Sequence, residues 1–281
     1  MPHVEVNGVG LFCETAGDGF PVIFSHEFGG DSRSWAPQVA FFDRWYRCIT
    51  YNHRGFPPSA VPQALDAYSQ DLLIEDLRGL VRHLGIDQAH LVGLSLGGNV
   101  VLNFALRYPE LCRGIVVAGT GTGSIHREQF ERDVEQNATT LMQGGMAAFT
   151  PAYTVGPTRV TYQRKDPRGW QRFVDGFNEH SAVGSALTQR GVMLRRPTIF
   201  ALEERLRRLN VPALIVVGDE DEPCVEPAVF MKRTIPGAGL LVLPQTGHTV
   251  NLEEPEAFNE ATRDFFRLVE LGRWTTLSAD S

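Results

Sequence analysis

The sequence predicts an α/β fold: a mostly parallel central sheet with helices on both faces, plus a helical cap inserted between two strands. Three observations carry this. Continuous apolar runs alternate with amphipathic helical stretches, as parallel strands buried on both faces require. That rhythm stops after residue 122 and resumes near residue 213. A G-x-S-x-G segment, Gly93-Leu94-Ser95-Leu96-Gly97, stands between one apolar run and the helical stretch that follows it.

Taken in order, residues 3–6 and 11–15 read as short strands around Asn7-Gly8, a hairpin turn signal. Residues 21–25 form an apolar run that ends in Gly-rich sequence, and residues 46–51 form the next strand. Residues 66–84 follow a helical period, with Leu73, Leu77, Leu80, Val81 and Leu84 on one face. A buried strand at 89–93 leads through the G-x-S-x-G turn to a helix at 99–107, and 114–118 is another strand. The sheet then resumes with 213–217, a helix near 226–234, a strand at 240–243 and a closing helix at 255–268. Residues 1–122 and 201–281 therefore read as one core, with 123–200 a mostly helical cap whose helical candidates are 125–147 and 168–190. The last ten residues read as a loose tail.

Composition narrows the function classes. Hydrophobic residues make up 43% and charged residues 21% of the 281, the balance of a globular domain rather than a disordered or fibrous chain. A net charge of −7 disfavours sequence-independent nucleic-acid or anionic-membrane binding. No apolar run has transmembrane length, and the N-terminus lacks a secretory pattern, so a cytoplasmic location is expected. Cys13, Cys48, Cys112 and Cys224 are too dispersed for a zinc knuckle or redox pair and read as reduced thiols. No cofactor or metal is expected.

The G-x-S-x-G turn lifts a serine hydroxyl above the sheet at a helix N-terminus, where free N–H groups favour developing negative charge. A serine needs a base held by an acid. Gly247-His248-Thr249 follows a C-terminal strand, and Asp219, Glu220 and Asp221 follow the strand ending at 217. The resulting order Ser…Asp…His is the one this architecture uses. Gly119-Thr120-Gly121-Thr122-Gly123 lacks the lysine of a phosphate loop and reads as the entry to the cap.

With Ser25-His26-Glu27-Phe28-Gly29-Gly30, Tyr51-Asn52-His53-Arg54-Gly55, the serine turn, Gly218-Asp219-Glu220-Asp221 and Gly247-His248, the chain resembles the α/β-hydrolase family. The resemblance runs from about residue 4 to 266, within the capped subgroup of small esterases, lactonases and carbon–carbon hydrolases. It implies Ser95 as nucleophile, His248 as general base and Asp221 as acid, with Asp219 the alternative. It also implies an oxyanion hole built from the backbone N–H groups of Phe28 and Leu96.

Glu27 departs from the resemblance, which has glycine after the histidine of that loop. The expectation is that Glu27 turns to a helix or solvent; the alternative is that Glu27, with His26 beside it, meets the substrate or handles a proton. His26 and His53 are expected to be structural.

The cap carries ten Arg/Lys against seven Asp/Glu, read as a solvated face rather than an anion trap. The function expected is hydrolysis of a small carboxylic ester or lactone through an acyl-enzyme. Carbon–carbon hydrolysis of a vinylogous diketone and a hydrolase-fold small-molecule receptor are the alternatives. The partner is a small molecule, not nucleic acid or membrane, and a homodimer is compatible.

Overall fold

The computed structural model describes residues 3–274. Strands β1 (His3–Val6) and β2 (Val9–Ala16) make an antiparallel hairpin. Its turn residues Asn7 and Gly8 both have positive φ, the geometry that matches the twist of paired strands. Six more strands follow: β3 (Phe20–Ser25), β4 (Tyr46–Tyr51), β5 (Ala89–Leu94), β6 (Cys112–Ala118), β7 (Ala213–Gly218) and β8 (Ala238–Leu243). The sheet order is β1-β2-β4-β3-β5-β6-β7-β8. Pairing is antiparallel from β1 to β4 and parallel from β4 to β8.

The helices are α1 (Ala36–Phe42), α2 (Gln70–His83), α3 (Leu96–Arg107), α4 (Arg127–Tyr153), α5 (Val160–Lys165), α6 (Pro167–Asn178), α7 (Ala182–Thr188), α8 (Glu203–Leu206), α9 (Glu222–Thr234), α10 (Val250–Glu253) and α11 (Pro255–Glu270). Alternation along the strands assigns them to two layers. Ile23, Leu91, Ile115 and Ile215 join Leu73, Leu77, Val101, Phe104 and Met231, so α2, α3 and α9 cover one face. Phe24, Val92, Val116 and Val216 join Phe42, Phe258, Phe265 and Phe266, so α1 and α11 cover the other. Helices on both faces satisfy strands that are apolar throughout.

Between β6 and β7 the chain forms α4 to α8 and contributes no strand to the sheet. Ala138, Leu141, Phe149, Phe177 and Leu187 carry its apolar face onto the core cluster beneath. Here the structure corrects the helix limits expected from sequence. α4 runs on to Tyr153 across a kink at Gly145, whose φ of 69° only glycine adopts readily. The stretch expected as one helix over 168–190 is broken between Asn178 and Ala182. The short helices α1, α5, α8 and α10 are additional, each too brief to leave a clear period.

Candidate active site

β3 lies between β4 and β5, so the chain reverses direction across the sheet at that point. The loops leaving β3 and β5 then diverge above a crevice, the place where open α/β sheets bind ligands. Ser95 stands at its edge with φ 55° and ψ −108°, a strained conformation for a residue with a side chain. Its N–H donates to the Ala118 carbonyl at 2.8 Å, and its own carbonyl accepts from the Asn99 N–H at 3.0 Å and Asn99 Nδ2 at 3.1 Å. The neighbouring glycines make the turn sterically feasible. A Cβ on Gly93 would lie 2.4 Å from the Gly97 carbonyl oxygen.

Two other loops converge from β7 and β8. A Cβ on Gly218 would lie 2.1 Å from the Thr246 carbonyl oxygen, so only glycine lets these loops approach so closely. His248 Nδ1 lies 2.8 Å from Asp221 Oδ2, and both residues are buried. Asp219 turns elsewhere, its Oδ1 accepting the Thr246 N–H at 3.1 Å. Ser95 is tied to this pair through one stretch of backbone. Ala118 holds the Ser95 N–H, while a Cβ on the next residue, Gly119, would lie 3.5 Å from Asp221 Oδ2.

The two backbone groups expected to form an oxyanion hole are both free to donate. Leu96 is the first residue of α3, where no intrahelical acceptor exists. The Phe28 N–H makes no hydrogen bond to any described backbone carbonyl. His26 has no chemistry to spare. Its Nδ1 bonds the Glu27 carbonyl at 2.7 Å and its Nε2 accepts the His53 N–H at 3.0 Å, which fixes a neutral tautomer. Burial pushes the ring's pKa down to about 4. His53 is likewise buried, with Nε2 3.2 Å from Ser25 Oγ.

Of the two directions expected from sequence, a helix or solvent, Glu27 does not take solvent: its partner Arg159 is the residue that caps the start of α5. Its carboxylate is buried and held bidentately by Arg159, Nη1 to Oε1 at 3.1 Å and Nη2 to Oε2 at 2.5 Å. Burial opposes this charge, but the guanidinium outweighs it and holds the carboxyl below its ordinary range. Oε2 also lies 3.9 Å from His248 Nε2, so the imidazole has a carboxylate near each nitrogen. Burial disfavours the imidazolium, yet the Asp221 carboxylate prevails and raises His248 above the usual histidine value. Arg159 pulls it down and Glu27 pulls it up.

Arg159, Glu253 and Thr158 were not singled out by sequence. Arg159 is one of ten basic residues in its segment, and it lies 132 positions from Glu27. Glu253 accepts the N–H groups of Gly247 at 2.9 Å and Thr249 at 3.2 Å, one on each side of His248. The i,i+4 spacing of Thr249 and Glu253 is the one local signal that could have pointed to it.

Asp221, Cys224 and His248 bring three donor atoms within 4.8 Å of one another. They suit a metal poorly, since the His248–Asp221 bond occupies two of them. Burial also pushes the Cys224 thiol well above its usual range, away from the thiolate a metal binds. A cavity of about 660 Å³ opens beside the site, between Gly29-Gly30, Arg33, Phe173, Phe177 and His180. None of Ser95, Asp221 and His248 lines it. Among the described residues no helix is long and apolar enough to cross a membrane.

The pattern of the α/β hydrolase fold matches residues 21–255. A 3-oxoadipate enol-lactonase of Acinetobacter baylyi is 28% identical over 246 residues, covering 85% of this chain and 86% of that protein. The structure of a thermophilic esterase from Thermogutta terrifontis superposes with a TM-score of 0.82 at 26% identity, over 95% of this chain and 98% of that one. An enol-lactonase from Burkholderia xenovorans shares the fold, with a TM-score of 0.83 at 24% identity over 95% of this chain and 100% of that one. With its family pattern running from β3 through the histidine loop to the start of α11, this chain belongs to the α/β hydrolase fold family and is a hydrolase.

Proposed function

We propose that the protein hydrolyses a small carboxylic ester or lactone through Ser95, His248 and Asp221, with α4 to α7 serving as a cap over the site. The observation that carries this is the 2.8 Å bond between buried His248 and Asp221, linked through the Ala118-Gly119 backbone to a serine in the strained strand-to-helix turn. Relatives named as an enol-lactonase and an esterase favour that substrate class.

In this reading His248 Nε2 takes the Ser95 proton as Oγ attacks the substrate carbonyl. Asp221 holds the ring by Nδ1–H and stabilises the imidazolium. The free N–H groups of Leu96 and Phe28 receive the oxyanion, each worth about 3 kcal/mol in the transition state. The imidazolium returns its proton to the departing alkoxide. A water activated by the same histidine then releases the acid.

A fluorophosphonate probe followed by peptide mapping tests the nucleophile, together with turnover of p-nitrophenyl esters and a lactone panel. Label on Ser95, and loss of both label and turnover in a folded Ser95→Ala variant, is the expected result. Label on another residue, or undiminished turnover without Ser95, overturns the reading.

A further inference from the structure

Among the contacts of the helical insertion with the candidate site, two consecutive residues reach His248 and Glu27. The Thr158 carbonyl accepts the backbone N–H of His248 at 2.8 Å. Arg159, the next residue, clasps Glu27 with both terminal nitrogens. Its guanidinium is fixed from three sides: Nη2 donates to Tyr153 Oη at 2.8 Å, and the plane lies 4.6 Å from the Tyr153 ring centre and 5.0 Å from that of Phe173. An arginine anchored this firmly is pre-organised before any substrate arrives.

Charge counting shows what it does there. The groups facing His248 are Asp221 from the loop after β7, Glu27 from the loop after β3, Arg159 from the insertion and Cys224 from α9. Glu253 of α10 faces the backbone on either side of the ring. Two carboxylates about one imidazole, with no cation, would keep a proton on the ring. They would also set Glu27's negative charge next to Phe28, whose N–H must receive an oxyanion. One guanidinium removes both difficulties.

We propose that Arg159 is a positioning residue of the hydrolytic site, supplied by the insertion to neutralise Glu27 so that His248 can act as a base. This rests on the serine-hydrolase reading for its catalytic meaning. It accounts for a glutamate where the family pattern has glycine: Glu27 and Arg159 form a matched pair, and the base works only with the insertion in place. Either charge alone beside His248 would bias its proton, whereas the pair cancels.

The test is a histidine ¹⁵N NMR titration of wild type, Arg159→Met, Arg159→Lys, Glu27→Gln and the Glu27→Gln/Arg159→Met double variant. The His248 signal is assigned by its loss in His248→Gln. Fluorophosphonate labelling of Ser95 is followed across the same pH range.

Arg159→Met should move the His248 midpoint upward and slow labelling at pH 7 by about ten-fold or more, the scale of an opposite charge within a few ångströms. Glu27→Gln should move the midpoint downward. Arg159→Lys and the double variant should return it toward wild type, the first by restoring the cation and the second by removing both charges.

Midpoints that stay the same across folded variants, or a double variant no better than Arg159→Met, would reduce the pair to a structural staple and overturn the inference. Should Arg159→Met not fold, the opposite-signed shift of Glu27→Gln and the retention in Arg159→Lys still decide. Absence of Ser95 label in wild type at every pH would instead overturn the serine-hydrolase reading, while the NMR midpoints judge the charge pair on their own.

Discussion

Gly97 approaches the end of β3 so closely that a Cβ there would lie 2.0 Å from the Ser25 carbonyl oxygen and 2.7 Å from that of His26. The neighbours are backbone, at the root of the loop that carries Glu27 and Phe28, and cannot rotate aside. Gly97→Ala should therefore cost about 3 kcal/mol or more, the upper end for overpacking. It should also slow Ser95 labelling, because the turn and the Phe28 N–H are pushed apart. Denaturant unfolding alongside probe labelling checks this; a variant with wild-type stability would mean that the turn tolerates the methyl group.

Asp221 and Asp219 occupy one short loop but face different partners. Asp221 bonds His248 Nδ1, and Asp219 bonds the Thr246 N–H. Asp221→Asn should lower kcat/KM by about a thousand-fold or more, since an amide favours the wrong imidazole tautomer and cannot stabilise the imidazolium. Asp219→Asn keeps an acceptor for Thr246 and should leave kcat/KM within about three-fold, since its hydrogen bond is retained. Steady-state kinetics on a p-nitrophenyl ester measure both; similar losses in the two variants would remove the distinction.

These two predictions also mark where the sequence was legible. The turn at Ser95 and the strand and helix flanking it are local: glycines, an apolar run and a helical period between Ala89 and Arg107 suffice. Asp221 was less legible, because three acidic residues share its loop: the resemblance ranks Asp221 above Asp219, and the direction of each side chain shows which one meets His248. The Glu27–Arg159 pair was not legible at all. Its partners are far apart in sequence, and nothing in the pattern around Arg159 distinguishes it from nine other basic residues in the insertion. Glu27 seen alone reads as a charge that ought to reach water; it is the guanidinium arriving from elsewhere that keeps it buried.

Burial of His26 makes stability depend on pH. Its pKa is pushed down to about 4 in the folded protein, against about 6.5 for an unfolded chain. Between these values the unfolded state binds the extra proton, so this contribution is complete above pH 6.5 and is lost as the pH falls toward 4. By pH 4.5 the stability lost through this ring is about 2 to 3 kcal/mol. His26→Gln, whose amide can still accept the His53 N–H, should lower stability at pH 7 but flatten its decline toward pH 4.5. Urea unfolding at a series of pH values gives the two slopes, and parallel slopes would show that His26 does not supply the missing proton.

Glu253 controls His248 without touching its ring. The carboxylate bonds the backbone N–H groups of Gly247 and Thr249, with the Thr249 hydroxyl at 3.0 Å, so the peptide on each side of His248 is fixed. The other side of the loop has no slack, because a Cβ on Gly247 would lie 2.3 Å from the Thr158 carbonyl oxygen. Glu253→Ala leaves two buried N–H groups without acceptors, at about 1 to 3 kcal/mol each, and should destabilise the protein by about 2 to 6 kcal/mol. Activity should fall further than the unfolded fraction explains if His248 is the base proposed above, since the loop that carries its ring is released. Glu253→Gln retains one acceptor oxygen and should recover part of both losses. Measured at a temperature where all three proteins are fully folded, kcat should still rank wild type above Glu253→Gln above Glu253→Ala. Equal kcat values there would mean that the short contact with Thr158 positions His248 without help from Glu253.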